Sequence, residues 1–271
     1  NSIAIFFSIF VSNQKIKMKN FICSILGLFV ISTTQAQLKE ITYKDGAQKL
    51  NGLYFAANKS NNDNAGILIL PAWKGIDLHA KNSAEKLANL GYHTFVADIY
   101  GDGNYPTDAQ QAGERSGFYK KNYEQYQTRI RLALAQLIQA GANPDKIVII
   151  GYCFGGTGAL EAARGEFPVK GVVSFHGGLG KDVNRITKNL NTKILVCHGA
   201  DDPYESQEEI AAFQKEMRDA KADWQMIYYA NAVHSFTDPN AGNNNAKGAA
   251  YNEKAAQRSW EHLLVFLKEV L

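Results

Sequence analysis

The stretch at residues 146–160, KIVIIGYCFGGTGAL, constrains the fold more than any other part of the sequence. It begins with an apolar run rich in β-branched residues, passes through a glycine-rich turn and ends in small residues. This order predicts a buried parallel strand at 147–150, a tight turn and a helix at 157–164. Cys153 stands at the tip of the turn.

Cys153 has a glycine two residues away on either side, Gly151 and Gly155. A nucleophile elbow, usually G-x-S-x-G, has this spacing because a side chain at either glycine would collide with the neighbouring strand or helix. Here a cysteine occupies the serine position. The alternative is a turn whose glycines serve packing alone, around an ordinary buried cysteine.

Strand-like and helix-like segments alternate along most of the chain. Apolar runs typical of buried strands lie at 66–70, 92–97, 147–150, 171–175, 193–197 and 224–229. Helical patterns lie between most of them, at 78–90, 119–140, 205–220 and 249–270. This alternation predicts an α/β fold with a mostly parallel sheet and helices on both faces. Two further runs, 40–43 and 50–56, flank Asp45 and Gly46 and predict an N-terminal antiparallel hairpin.

The composition fits one large domain. The chain has 271 residues, 45% of them hydrophobic and 20% charged, which is ordinary for a domain with its own core. We therefore expect a single domain at residues 37–271. The formal charge of +3 comes from Lys15, Lys17 and Lys19, since the rest of the chain holds 26 basic and 26 acidic residues. No basic surface is left to predict nucleic-acid binding.

Residues 18–36 have the layout of a secretory signal peptide. A positively charged start precedes an apolar run at 21–32, and small residues stand three and one positions before Gln37, the expected mature start. The run is shorter than the ~20 residues that span a bilayer, so no stable membrane anchor is expected, although an anchor is the alternative. Residues 1–17 do not begin with methionine and are interpreted as an over-extension upstream of Met18. The mature protein is therefore expected to be secreted or periplasmic.

Two cysteines, Cys153 and Cys197, lie in the expected mature chain. A disulfide between them is the obvious alternative in an oxidising compartment. They follow or lie in strands that are two apart in sequence, and an intervening strand would separate them by about 9.5 Å, which is too far for a disulfide. We therefore expect two free thiols.

Two side chains beyond predicted strands could activate the Cys153 thiol, since a thiol nucleophile needs a base and the base needs an orienting acid. Such groups gather at the carboxyl ends of parallel strands. His234 follows the last predicted strand, and Asp202 follows the strand before it. The order nucleophile, acid, histidine is the one that α/β-hydrolases use. Asp201 is the alternative acid, and both aspartates could instead be turn or capping residues.

Two backbone amides are expected to hold a developing oxyanion: that of Phe154, and one after the first parallel strand, assigned to Trp73. Trp73 could also be a rim aromatic. His176 follows a strand and is a candidate pocket residue, and residues 101–116 form either a pocket rim or a plain surface loop. The sequence contains no metal-binding motif and no phosphate-binding glycine loop, so neither a metal nor a cofactor is expected.

The chain resembles the dienelactone hydrolase family. The matching motifs are GYCFGG at 151–156, GADDP at 199–203 and HSF at 234–236, with LILPAWKGID and VADIYG at the ends of the first two parallel strands. The resemblance implies an α/β-hydrolase fold in which Cys153, Asp202 and His234 form a triad. It further implies hydrolysis of small esters or lactones through a thioester acyl-enzyme, without a cofactor and with that small molecule as the partner.

Two positions depart from the family pattern. Members have a glutamate in the loop after the first parallel strand, where this chain has Ala72, and an arginine for the substrate carboxylate, where it has Asp238. Arg115 is the candidate for a second family arginine, and Tyr204 is a further candidate for substrate contact. An anion-binding pocket is therefore not predicted, and neither is the dienelactone itself as the substrate.

Two other functions are compatible with the sequence. One is a non-catalytic thiol protein, binding or redox-sensing, built on a hydrolase fold. A sensor needs only a reactive cysteine, so the further presence of Asp202 and His234 favours an enzyme. The other is a secreted carbohydrate or polyester esterase, which shares the chemistry and differs in the shape of its pocket. The oligomeric state is not indicated.

Overall fold

A computed structural model of the chain describes residues 37–58 and 63–271. The predicted upstream segment, residues 1–17, and the predicted signal peptide, residues 18–36, lie outside these ranges, and both stay predictions. Among the residues that are described, no helix combines the length and the apolar character needed to cross a bilayer.

Within the described ranges, eight strands form one sheet in the order β1-β2-β4-β3-β5-β6-β7-β8. The strands are β1 Leu38–Asp45, β2 Gln48–Phe55, β3 Gly66–Leu70, β4 His93–Val96, β5 Ile147–Tyr152, β6 Gly171–Phe175, β7 Lys193–Gly199 and β8 Trp224–Tyr229. β1 and β2 form the predicted antiparallel hairpin, β2 pairs antiparallel with β4, and all other neighbours are parallel. The predicted fold class is confirmed.

Helices cover both faces of the sheet. They are α1 Leu78–Asn89, α2 Ala109–Lys121, α3 Tyr123–Gln139, α4 Phe154–Arg164, α5 Gln207–Asp219 and α6 Glu253–Val270. Several begin at a side-chain cap, which satisfies amides that the first turn leaves unpaired. Asp77 caps α1, Ser206 and Glu209 form a capping box on α5, and Asn252 caps α6.

The central strand β5 shows how the sheet divides the core. Ile147 and Ile149 pack on the side covered by α2–α5, whereas Val148 and Ile150 pack on the side covered by α1 and α6. Successive side chains of a strand point to opposite faces, so a strand buried on both faces must be apolar throughout. This explains the continuous apolar run that precedes the cysteine turn.

The helix predicted at 119–140 covers the end of α2 and all of α3. The stretch 101–116, predicted as a pocket rim or surface loop, is helical over its second half. Asp108 begins α2 by accepting a hydrogen bond from the Gln111 amide at 2.8 Å. Asn122 ends it, since φ of −105° and ψ of 60° leave the helical range. The start of α2 within this polar stretch is therefore set by the capping side chain of Asp108.

Other helix boundaries also differ from the predictions. α4 begins at Phe154, directly after the cysteine, and not at residue 157. α6 begins at Glu253 and not at residue 249, because the backbone around Ala249 pairs with His234 in an isolated bridge. The two cysteines of the described chain are free thiols, as predicted.

Candidate active site

Cys153 lies between β5 and α4 in a backbone conformation that non-glycine residues rarely adopt. Its φ is 54° and its ψ is −115°. Its own amide donates to the carbonyl of Phe175 in β6 at 3.0 Å, and its carbonyl accepts from the Thr157 amide at 3.1 Å. Strained conformations of this kind occur where the surrounding structure fixes a functional group in place.

The turn needs glycine at positions 151 and 155, because neither position has room for a side chain. A Cβ on Gly151 would lie 1.9 Å from the carbonyl oxygen of Gly155. A Cβ on Gly155 would lie 2.0 Å from the carbonyl oxygen of Leu70, at the end of β3. The turn therefore packs backbone against backbone at both glycines, as expected for an elbow.

Replacing Gly155 with alanine is expected to lower the free energy of unfolding by about 3 kcal/mol, because the clash is with backbone that cannot move aside. Gly117 in α2 is the matched control, since a Cβ there meets nothing within 4 Å. Gly117→Ala is expected to raise stability by about 0.5–1 kcal/mol. Urea unfolding followed by circular dichroism measures both, and equal stability of the two variants would contradict the close packing of the elbow.

The structure brings His234 and Asp202 to Cys153. His234 Nε2 lies 3.0 Å from Cys153 Sγ, and His234 Nδ1 lies 2.9 Å from Asp202 Oδ2. Asp202 is buried in the turn after β7, where its Oδ1 accepts the Tyr204 amide at 3.0 Å. This chain of contacts has the geometry that a base oriented by an acid needs to take a proton from a thiol.

The charges of these groups favour a reactive thiol. Burial alone would raise the pKa of Cys153, but the hydrogen bond and charge of His234, the Phe154 amide and the Lys120 ammonium together lower it. Burial alone would lower the pKa of His234, but its contacts with Asp202 and Cys153 raise it to about 10. These contacts favour the thiolate of Cys153 beside the imidazolium of His234.

Alkylation of Cys153 by iodoacetamide is expected to have its midpoint at a lower pH than that of an ordinary cysteine thiol, since the pKa of Cys153 is lowered. In His234→Ala the burial of Cys153 is no longer opposed by the histidine, so the thiol pKa rises. We expect the alkylation midpoint to move up by about one pH unit or more. His93→Ala is the control, because His93 begins β4 at the opposite end of the parallel strands. An unchanged midpoint in His234→Ala would contradict the ion pair.

The amide of Phe154 is held firmly beside the cysteine. The Phe154 ring stacks between Tyr100 and Tyr126, with centroid distances of 5.8 Å and 4.5 Å. The buried Tyr126 hydroxyl donates to the Phe154 carbonyl at 3.0 Å. On the facing loop, the Trp73 carbonyl accepts from the Tyr100 hydroxyl at 2.6 Å. Tyr100 thus connects the two segments that carry the predicted oxyanion amides, whose role stays a prediction.

His176 lies behind His234 and away from open solvent. Its side chain is 2% exposed, and its ring stands 5.3 Å from that of His234. Its Nε2 lies 2.7 Å from Thr237 Oγ1, which also lies 3.1 Å from His79 Nε2. Burial and the neighbouring His234 lower the pKa of His176 well below its usual value, so it is neutral. Substrate contact by His176 stays a prediction.

The other predicted substrate residues have different settings. Tyr204 is exposed, and its ring lies edge-on to His234 at a centroid distance of 5.2 Å. Arg115 in α2 lies with Nη1 3.4 Å from Asn104 Oδ1. Asp238, where the family has an arginine, accepts the Asn240 amide at 2.9 Å as a turn cap. The hydrogen bond to the Asn240 amide gives Asp238 a structural role.

Three polar residues that converge at Gly178, namely Lys120, Thr157 and Glu205, were not predicted from the sequence as site residues. The sequence pattern assigns Lys120 and Glu205 to the starts of two helices and Thr157 to a helix of small residues, so each has an ordinary structural interpretation. Their proximity depends on the path of the loop after β6. Among the described residues, no three His, Cys, Asp or Glu side chains are grouped to hold a metal ion.

Comparisons with known proteins place this geometry in context. The sequence pattern of the dienelactone hydrolase family matches residues 52–271. The fold superimposes with a TM-score of 0.80 on a dienelactone hydrolase-like promiscuous phosphotriesterase from metagenomic libraries, at 34% identity over 87% of this chain and 99% of that one.

Two curated relatives were also found. A probable 2-oxo-3-(5-oxofuran-2-ylidene)propanoate lactonase of Bradyrhizobium sp is 26% identical over 74% of this chain and 82% of its own length. A putative carboxymethylenebutenolidase of Saccharolobus solfataricus is 27% identical over 86% of this chain and 98% of its own length.

Proposed function

Because the chain belongs to the dienelactone hydrolase family, and is a hydrolase of that kind, we propose that it hydrolyses small carboxylic esters or lactones with Cys153 as the nucleophile. The observation that carries the proposal is the contact chain from Cys153 Sγ through His234 to Asp202. A thiol next to a histidine that a buried carboxylate orients is an activated nucleophile.

The first half of the proposed reaction forms a thioester. The Cys153 thiolate attacks the ester carbonyl, and the amides of Phe154 and Trp73 stabilise the negative charge that develops on the carbonyl oxygen. The His234 imidazolium then donates its proton to the leaving alcohol as the carbon–oxygen bond breaks. Asp202 stabilises the imidazolium and fixes the orientation of the ring throughout.

The second half returns the free enzyme. His234, now neutral, accepts a proton from a water molecule as the water attacks the thioester carbonyl. The carbon–sulfur bond breaks, Cys153 leaves as a thiolate and the acid is released. The resting thiolate–imidazolium pair is thereby restored, with no cofactor consumed.

The substrate class rests on the site and on the relatives. One relative's name is that of a lactonase, which supports a lactone or a chemically similar small ester for this chain. Asp238 and Ala72 stand where the family has an arginine and a glutamate, so we do not assign the dienelactone itself to this protein.

The formation of an acyl-enzyme tests the proposed function. p-Nitrophenyl acetate is mixed rapidly with wild-type protein, and the release of nitrophenolate is followed together with the intact mass. We expect a burst of nitrophenolate and an acetyl group on the peptide that contains Cys153. Hydrolysis without an acetyl group on that peptide, even when the reaction is quenched during the burst, would contradict the mechanism.

A further inference from the structure

A cavity of about 350 Å³ lies beside Tyr204, and the proposed reaction assigns no substrate group to it. Thr157, Tyr204 and Glu205 are among its lining residues. Thr157 follows Cys153 by one helical turn, and Tyr204 contacts the His234 ring edge-on. Through Tyr204 the cavity adjoins His234, which in the proposed function donates the proton to the leaving alcohol.

Three polar atoms from separate segments converge in this cavity at Gly178. A Cβ at Gly178 would lie 3.1 Å from Thr157 Oγ1, 3.4 Å from Glu205 Oε1 and 3.5 Å from Lys120 Nζ. The three groups therefore surround one small space, which glycine leaves unfilled. They come from α4, from the turn before α5 and from the last turn of α2.

The hydroxyl of Thr157, like the space at Gly178, indicates a ligand. The residue is only 5% exposed, and its hydroxyl has no hydrogen-bond partner among the described residues. A buried hydroxyl without a partner is unfavourable, and most buried polar groups in native proteins are paired. A ligand group in the cavity would supply the missing partner.

The other charged groups of the cavity are already engaged. Glu161 is paired with Arg164 and Arg185, and Glu209 belongs to the cap of α5. Lys181 donates to the Arg185 carbonyl, and Asp182 accepts the Asn184 amide at 2.8 Å. Within the described chain no carboxylate lies within ion-pair distance of Lys120, and Glu205 uses Oε2 to accept the Leu179 amide at 3.0 Å. One ammonium, one hydroxyl and one carboxylate oxygen thus face the space together.

We propose that this cluster, Lys120, Thr157 and Glu205, is a subsite for a hydroxyl group on the alcohol portion of the ester substrate. A hydroxyl has one donor and two acceptor positions. It can donate to Glu205 and accept from Lys120 and Thr157, which satisfies all three groups. A carboxylate would be repelled by Glu205, and an ammonium by Lys120. The inference rests on the proposed function and narrows its substrates to esters of hydroxylated alcohols.

The ionisation of Glu205 determines the pH at which the subsite is tested. Burial raises the pKa of Glu205 to about 7; the Leu179 amide and Lys120 oppose the rise, and the nearby Glu209 and Asp202 add to it. At pH 8 the carboxylate form therefore predominates. Glycerol monoacetate and propyl acetate are suitable substrates because they give the same acetyl-enzyme. The hydroxyls also make glycerol the better leaving alcohol, so the subsite is judged by the change in the ratio between wild type and variants.

For wild type at pH 8 we expect kcat/KM for glycerol monoacetate to exceed that for propyl acetate by about tenfold, the effect of one or two net hydrogen bonds. Thr157→Val removes the hydroxyl at constant shape, and Gly178→Ala fills the space. Both are expected to lower the ratio about fivefold relative to wild type, on the same basis of lost hydrogen bonds. Because the result is a ratio, a general loss of folded protein cancels. Thr128→Val, an exposed threonine of α3, is the matched control and should keep the wild-type ratio.

Three results would overturn the subsite: a wild-type ratio near one, an unchanged ratio in both variants, or faster hydrolysis of acetoxyacetate, which carries a carboxylate instead. If neither ester is hydrolysed, the proposed function is contradicted and the subsite is still open to test. Ligand-observed NMR then decides the subsite, by comparing glycerol with propanol on wild type and Gly178→Ala. Glycerol contact that is lost in the variant supports the subsite, and equal signals in both proteins contradict it.

Discussion

Cys153→Ala is expected to lower kcat for p-nitrophenyl acetate at least about 10³-fold, because the proposed reaction has no other group that could attack the carbonyl. The alanine side chain preserves the backbone of the turn and removes only the sulfur. Binding and the oxyanion amides leave some residual rate, so the activity should not fall to that of the buffer alone. Steady-state release of nitrophenolate measures the effect.

Cys197→Ala is the matched control for this experiment. Cys197 lies in β7, is fully buried, and its thiol accepts from the Tyr229 hydroxyl at 3.6 Å. Burial raises the pKa of Cys197 to about 12, so this thiol is not a nucleophile near neutral pH. We expect the variant to keep kcat within about twofold while losing about 1 kcal/mol of stability from the small cavity. Full activity in Cys153→Ala would exclude the nucleophile assignment.

Asp202→Asn is expected to lower kcat/KM by about 10²–10⁴-fold. The amide has nearly the same size as the carboxylate, so the turn after β7 should keep its structure. It carries no negative charge to stabilise the His234 imidazolium, and it can donate to the ring and favour the wrong tautomer. The loss should appear mainly in kcat, because the carboxylate lies behind the histidine and does not face the cavity.

Asp201→Asn tests the neighbouring aspartate, which the sequence alone offered as the alternative acid. Asp201 is exposed. Its backbone amide donates to the Ala232 carbonyl at 3.0 Å, which is a structural contact. We expect this variant to keep kcat/KM within about twofold, as surface substitutions usually do. The reverse outcome, a large loss for Asp201→Asn and none for Asp202→Asn, would reassign the acid.

The sheet was predictable from the sequence because its strands carry a strong, local signal. The run that becomes β5 is apolar on both faces, as a central parallel strand covered on both sides must be. The positions of Asp202 and His234 followed from the same rule, since polar residues just beyond buried strands meet at one edge of the sheet. Their roles in catalysis stay predictions until the variants are measured.

The surroundings of the cysteine were not predictable because they depend on contacts between distant segments. The division between α2 and α3 is set by Asn122, and a single residue within a long helical pattern carries little sequence signal. His176 follows a strand, as predicted, but its burial behind His234 requires the path of the chain after β6. The grouping around Gly178 joins residues 120, 157 and 205, which no local pattern relates.

The position of β6 bears on how the protein would respond to oxidants. Phe175 of β6 pairs with Tyr152 on one side and with Cys197 on the other, so a whole strand separates the two described thiols. Cys153 therefore has no resolving cysteine within the described chain, and its sulfenic acid would be captured by external thiols. Peroxide should consequently inactivate the protein in a way that added glutathione reverses, without any rearrangement of the fold. The described fold contains no disulfide, so we expect oxidant to act on the chemistry of Cys153 and not on the packing of the sheet.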